Sequence, residues 1–155
     1  MAGNLLIIFG AKYLLLVVGV LVLAWFLKQS RVTQKRLIFF AAAALPLIFV
    51  ISRIVTLFYY DPRPFVVGHF IPLIPHEPDN GFPSDHTLLG AAIAAIVYPF
   101  SKKVSVVAWL LTILMGIFRV LAGVHQPIDI IGSIIIAIFV GLITRRLVKR
   151  HLETA

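Results

Sequence analysis

Three short stretches hold most of the side chains in this chain that could do chemistry. They are "YYDPRPF" around Arg63, "DNGFPSDHT" around Ser84 and "FRVLAGVHQPID" around His125. The last contains Arg119, His125 and Asp129 in the spacing R-x5-H-x3-D. Residues four apart share a face if a helix begins near His125. A carboxylate on one imidazole nitrogen fixes the tautomer and raises the nucleophilicity of the other nitrogen. The blander account is an interfacial His beside a capping Asp. Against it, Asp129 is followed by "IIGSIIIAIFVGLI", where an unpartnered carboxylate is costly in lipid. In "DNGFPSDHT", Pro83 ends a loop and Ser84 suits the N-cap of the next helix. The free N–H groups of such a turn bind anions, and His86 there can exchange a proton near neutral pH. Taken alone, Ser84 and Asp85 are better explained as caps and His86 as an interfacial residue. Arg63 stands between Pro62 and Pro64, whose stiff backbone aims the guanidinium. An interfacial Arg reaching headgroups fits that position as well.

Together the stretches supply two arginines, a helix N-terminus, a Ser hydroxyl and two histidines, one backed by Asp. Arginine matches phosphate with paired donors. Two histidines can divide the roles of nucleophile and acid. The chemistry expected is the binding and transfer of a tetrahedral dianion. The acids show no metal-ligand spacing, so a reaction without metal or other cofactor is expected.

The elements that position these residues are apolar. Of 155 residues, 61% are hydrophobic, and the mean hydropathy is +1.04. A soluble domain is about 45–50% apolar, so the expectation is an all-α, membrane-embedded helix bundle forming a single domain over residues 1–155. The absence of cysteine excludes disulfides and thiolate metal sites. Five apolar segments stand out, at about Leu5–Leu27, Leu37–Phe58, Ser84–Phe100, Val104–Leu121 and Ile128–Ile143. The third and fifth are short for a span of about 20 residues. The first lacks the basic start and cleavage site of a signal peptide and reads as a retained helix. Pro46 is expected to kink the second. Tyr59–Pro83 holds six of the nine prolines and reads as a loop.

Charge gives the topology. Five crossings place Lys28, Arg31, Lys35, Arg36, Lys102, Lys103, Arg145, Arg146, Lys149 and Arg150 on one side, ten of the fourteen basic residues. The positive-inside rule makes that side, with the C-terminus, cytoplasmic. The net charge of +8 is thus spent on topology anchors, and no nucleic-acid partner is expected. Asp61, Glu77, Asp79, Asp85 and Asp129, with His69, His76, His86 and His125, fall on the other side. Ionisable groups at a membrane are usually functional, so these helix ends should converge on one polar site facing outside. Glu153 and His151 are the exceptions.

The three stretches resemble the signatures of the type 2 phosphatidic acid phosphatase superfamily, K-x6-R-P, P-S-G-H and S-R-x5-H-x3-D. Arg63-Pro64 matches the end of the first; Pro83-Ser84-Asp85-His86 matches the second with Asp for Gly. Arg119, His125 and Asp129 match the third, with Phe118 for its Ser. The wording is similar to the bacterial undecaprenyl-diphosphatase branch, and the likeness covers about half the chain. The resemblance implies that His125 attacks phosphorus to form a phosphohistidine, that Asp129 orients it and that His86 protonates the leaving oxygen. Arg63, Ser84, Arg119 and the N–H groups near Asp85 and His86 would hold the phosphoryl oxygens. The expected partners are the bilayer and a membrane lipid phosphate; oligomeric state is left open. Undecaprenyl diphosphate is the expected substrate, with phosphatidate, phosphatidylglycerophosphate or lipid A as alternatives. A small phosphate or ion transporter is the alternative of another class, although transporters carry polar groups near the midplane and often show repeats. Vanadate-using haloperoxidases share the pocket motifs but are soluble. Two positions depart from the pattern. Thr56 stands where the Lys is expected, so Arg53, one turn deeper, or else Lys12 would supply the missing cation. Asp85 replaces Gly, so its carboxylate must face away from the anion, pair with a cation or be protonated.

Overall fold

The computed structural model describes residues 2–154, with side chains described for residues 3–147. Six helices follow in order: α1 Ala2–Leu27, α2 Arg31–Phe58, α3 Pro64–Val67, α4 Asp85–Val97, α5 Lys102–Leu121 and α6 Pro127–Thr154. Ser30 and Ser101 cap α2 and α5, their hydroxyls accepting from Thr33 N and Val104 N. Pro127 takes the first position of α6, where its missing N–H costs nothing. The fold is all-helical, as its composition predicts.

Four helices, α1, α2, α5 and α6, are long and apolar enough to cross a membrane. With 13 residues, α4 is about 20 Å long at 1.5 Å per residue, short of a hydrocarbon core of about 30 Å. It compensates by position. It packs against α1, α2, α5 and α6, while α1 lies along α5 and α2 along α6. Its buried face is small: Ala91, Ala92 and Ala94 let neighbouring backbones approach. Gly116 of α5 serves the same end, since a Cβ there would sit 2.5 Å from Ile130 Cγ2 of α6. Large apolar residues turn outward instead, among them Leu6, Phe9, Leu16, Phe49, Leu110 and Phe139. An exposed apolar belt around a small-residue interior is the arrangement lipid favours, and the protein is a multi-pass membrane protein.

The structure corrects several expectations. The second and fourth segments begin earlier, at Arg31 and Lys102, and the third stops at Val97. The fifth runs well beyond Ile143, to Thr154. His125 precedes α6 rather than lying on it. The side chains of Lys149, Arg150, His151 and Glu153 lie outside the described residues.

The connection between α2 and α4 folds over one end of the bundle. Pro62 and Asn80 form an antiparallel bridge. The Asn80 side chain clamps both strands of this connection: Oδ1 accepts from Asp61 N (2.9 Å) and Phe82 N (3.0 Å), and Nδ2 donates to Tyr59 O (3.0 Å). Farther along, Leu73 N donates to Ala122 O at 3.0 Å. Ile74 is buried there with Ala11, Ala122 and Val124.

Candidate active site

At that end, side chains from the loop, α4, α5 and α6 gather around His125. The turn between α5 and α6 holds His125 itself, 2% exposed, and Gly123 at φ 77° permits the reversal. Asp129, in the first turn of α6, is fully buried. Its Oδ2 accepts from Gln126 N at 2.8 Å and meets His125 Nδ1 at 3.0 Å. The pair therefore forms as expected, by the turn folding back onto the helix start rather than by a shared helical face.

The other imidazole nitrogen faces two cations. Arg63 Nη1 and Arg119 Nη2 each lie 3.4 Å from His125 Nε2. Guanidinium N–H groups can only donate. Nε2 is thus the acceptor, Nδ1 carries the proton, and that proton is donated to Asp129. Burial first, then the charges of Arg119 and Arg63, push the His125 pKa down to about 3. Nε2 stays unprotonated at ordinary pH.

Both arginines are held before any ligand arrives. Arg63 donates from Nε to Asp79 Oδ1 (2.7 Å), from Nη1 to Val124 O (2.8 Å) and from Nη2 to Asn80 O (3.4 Å). Arg119, in the last turn of α5, donates from Nη1 to Ala11 O of α1 at 3.2 Å, and its buried Nε finds no partner among the described residues. Burial alone would raise the Asp79 carboxyl, but the hydrogen bond and charge of Arg63 outweigh it and hold the pKa below the usual range. Asp79 stays anionic and keeps the Arg63 plane fixed.

The start of α4 forms the third wall. Ser84 is its N-cap and fully buried, but its hydroxyl makes no capping bond. Instead Ser84 Oγ accepts from Thr87 Oγ1 at 3.2 Å. Ser84 N donates to Asp129 O (3.4 Å), and Ser133 Oγ to Ser84 O (3.0 Å), which pins α4 to α6. The first N–H groups of α4 remain available to an anion. His86 is half-buried in that turn, while Asp85 is exposed and lines the cavity beside Arg63 and Asp79.

Not every expected group joins the site. Arg53 is exposed and stacks on Phe49 at 5.0 Å. It does line a cavity of about 340 Å³ with Thr56, Arg63, Asp79 and Asp85. Lys12 is exposed, next to the buried Ala11. His69 and Glu77 are exposed too, so the polar side chains of this face converge only in part. Sequence reasoning missed Asp61, His76, Asp79 and Asn80 as site residues. The His76 ring stands edge-on to His125 at 5.9 Å, and burial followed by Arg63 and Arg119 lowers its pKa. The only signal for these four was that an acid- and His-rich loop is odd beside apolar helices.

Comparison with known proteins agrees with this geometry. Undecaprenyl-diphosphatase BcrC of Bacillus subtilis (strain 168) is 30% identical over 138 residues, covering 89% of this chain and 71% of that protein. The crystal structure of Aquifex aeolicus LpxE superposes with a TM-score of 0.65 at 26% identity, covering 90% of this chain and 81% of that one. A PAP2-type phosphatidylglycerolphosphate phosphatase from Bacillus subtilis shares the fold, with a TM-score of 0.57 at 23% identity over 97% of this chain and 75% of that one. The model of the PAP2 superfamily matches residues 55–153, the stretch that contains all three polar clusters. A match of that extent over a site of this construction decides the assignment: the chain belongs to the PAP2 superfamily and is an integral membrane phosphatase.

Proposed function

We propose that this single membrane-embedded domain hydrolyses undecaprenyl diphosphate to undecaprenyl phosphate and inorganic phosphate, in support of cell-wall biosynthesis, at a site facing outside the cell. One observation carries the reading: the free Nε2 of an Asp-backed histidine lies 3.4 Å from each of two guanidinium groups. A terminal phosphoryl group entering there would exchange those long contacts for short ones to its own oxygens. Arg63, Arg119, Ser84 and the N–H groups of Asp85 and His86 would bind the oxygens. His125 Nε2 then attacks phosphorus, and the bond from phosphorus to the bridging oxygen breaks. The electron pair leaves with the lipid phosphate; His86, which burial and then Arg119 hold neutral with a pKa of about 4, takes up a proton once the anion is bound and passes it to the leaving oxygen. Asp129 holds the Nδ1 proton and stabilises the charged imidazole. Water cleaves the phosphohistidine in a second step, releasing phosphate and freeing Nε2. Fixed donors aimed at the developing charge supply the main acceleration.

The substrate preference draws on the similarity to an undecaprenyl-diphosphatase and on the cavity beside Arg63, where Arg53 is placed to meet a second phosphate. Phosphate release by purified protein in detergent tests it, using a panel of prenyl diphosphates, phosphatidate, phosphatidylglycerophosphate and lipid A. The prenyl diphosphate should turn over fastest, unaffected by EDTA and inhibited by orthovanadate. Faster turnover of a glycerolipid or lipid A sinks the substrate reading. Loss of activity in chelator, restored by a divalent ion, sinks the assignment of the positive charge to Arg63 and Arg119.

A further inference from the structure

Asp61 has no part in the scheme above, yet its carboxyl is built into the site. Its backbone is held on both sides: the N–H donates to Asn80 Oδ1 (2.9 Å), and the carbonyl accepts from Gly81 N (2.8 Å). Its carboxyl interacts with that of Asp129 across the corner at Gly81. Asp129 Oδ2 is already taken by His125 and Gln126. That leaves Asp129 Oδ1, which is buried with no donor among the described residues, and the same is true of Asp61 Oδ2. Gly81 closes this corner: a Cβ there would sit 2.9 Å from Asp129 Oδ2 and 3.1 Å from Asp61 O.

Two ionised carboxylates side by side would repel, and each would leave a buried oxygen without a donor. One proton between them removes both costs. We propose that Asp61 is a positioning residue that stays protonated and donates a hydrogen bond to Asp129 Oδ1, which turns Oδ2 toward His125 Nδ1. Burial, then the charge and hydrogen bond of Asp129, raise the pKa of Asp61 above the usual carboxylate range. The charged and titratable groups around the pair are Arg63 from the loop and His125 from the α5–α6 turn. The proton belongs to the pair. Above its raised pKa it is lost, the carboxylates repel, and Asp129 no longer orients the imidazole. Activity should therefore fall on the alkaline side.

The kinetic part of this inference rests on the phosphatase reading, so a spectroscopic readout accompanies it. Infrared spectra of the purified protein at neutral pH should show the carbonyl stretch of a protonated carboxylic acid. The stretch should be lost in Asp61→Asn. Asn is a permanent donor, so Asp61→Asn should keep most of the rate and move the alkaline limb to higher pH. Asp61→Ala, with no donor, should lower kcat by about tenfold to a hundredfold, the scale of a misplaced catalytic group, with KM little changed. If Asp61→Ala fails to fold, Asp61→Asn carries the test alone. The proposal is overturned if the wild-type protein lacks the band, if the alkaline limb of Asp61→Asn does not move, or if folded Asp61→Ala keeps wild-type kinetics. A protein that shows the band but hydrolyses none of the lipid phosphates keeps this inference and loses the substrate reading.

Discussion

In the mechanism proposed above, His125 and His86 face different demands, and the leaving group separates them. His125 must offer a lone pair, and burial beside two guanidinium groups keeps it unprotonated down to about pH 3. His125→Ala should abolish turnover of every substrate while the protein stays folded; a purified variant with a tenth of the wild-type rate would show that another group attacks. His86 must give a proton, and the need for one depends on what departs. A diphosphate releases a phosphate ester whose second pKa is about 6, so it leaves readily as an anion at neutral pH. A lipid monophosphate releases an alkoxide, which needs the proton. His86→Ala should therefore cost a monophosphate substrate about 10²–10⁴-fold, the usual range for a general acid, and a diphosphate much less. Equal losses on undecaprenyl phosphate and undecaprenyl diphosphate would remove His86 from the acid role. The dyad of His125 and Asp129 was legible because its two members are four residues apart. Asp61 was not, because its partner Asp129 is 68 positions away and only the folded loop brings them together.

At the scale of elements, helix identity followed from apolar length, but the starts of α2 and α5 did not, because Ser30 and Ser101 cap them ahead of the apolar runs. The connection from Tyr59 to Pro83 did not follow, because its shape is set by hydrogen bonds across 16 to 21 residues, such as Arg63 to Asp79 and Asn80 to Tyr59. No local pattern encodes those closures. The end of α2 shows the consequence. Thr56 occupies the position of the expected lysine and spends its hydroxyl on Arg53 O at 2.7 Å. Arg53 lies one turn deeper but lines the same cavity as Arg63, whereas Lys12 is an exposed residue of α1. Arg53 also has slack: its contact with Phe49 is a stacking one, which a diphosphate can outbid. Arg53→Ala should then lower turnover of a diphosphate by about 10²-fold, the scale of one preorganised transition-state contact, and Arg53→Lys should restore part of it. Near-normal kinetics in folded Arg53→Ala would leave Arg63 and Arg119 as the only cations at work.

Orientation belongs to the whole molecule. The described part of the bundle is strongly polarised. Lys28, Arg31, Lys35, Lys102, Lys103, Arg145 and Arg146 are all exposed at one end. The site, with its acids and histidines, lies at the other. Basic residues in short loops resist translocation, so the site should face outside and the C-terminus the cytoplasm. The α4 helix, too short to span alone, begins at the site and ends at the turn Tyr98–Phe100. The chain has no native cysteine, so single cysteines can report each end separately. Asn80 is a poor place for one because its side chain clamps the loop. Ile71, 93% exposed on that loop, and Arg146, exposed on α6, are suitable. In intact cells an impermeant thiol reagent should label Ile71→Cys and leave Arg146→Cys untouched until the membrane is opened. The reverse pattern would place the site in the cytoplasm, and the enzyme would then act on lipid phosphates of the inner leaflet.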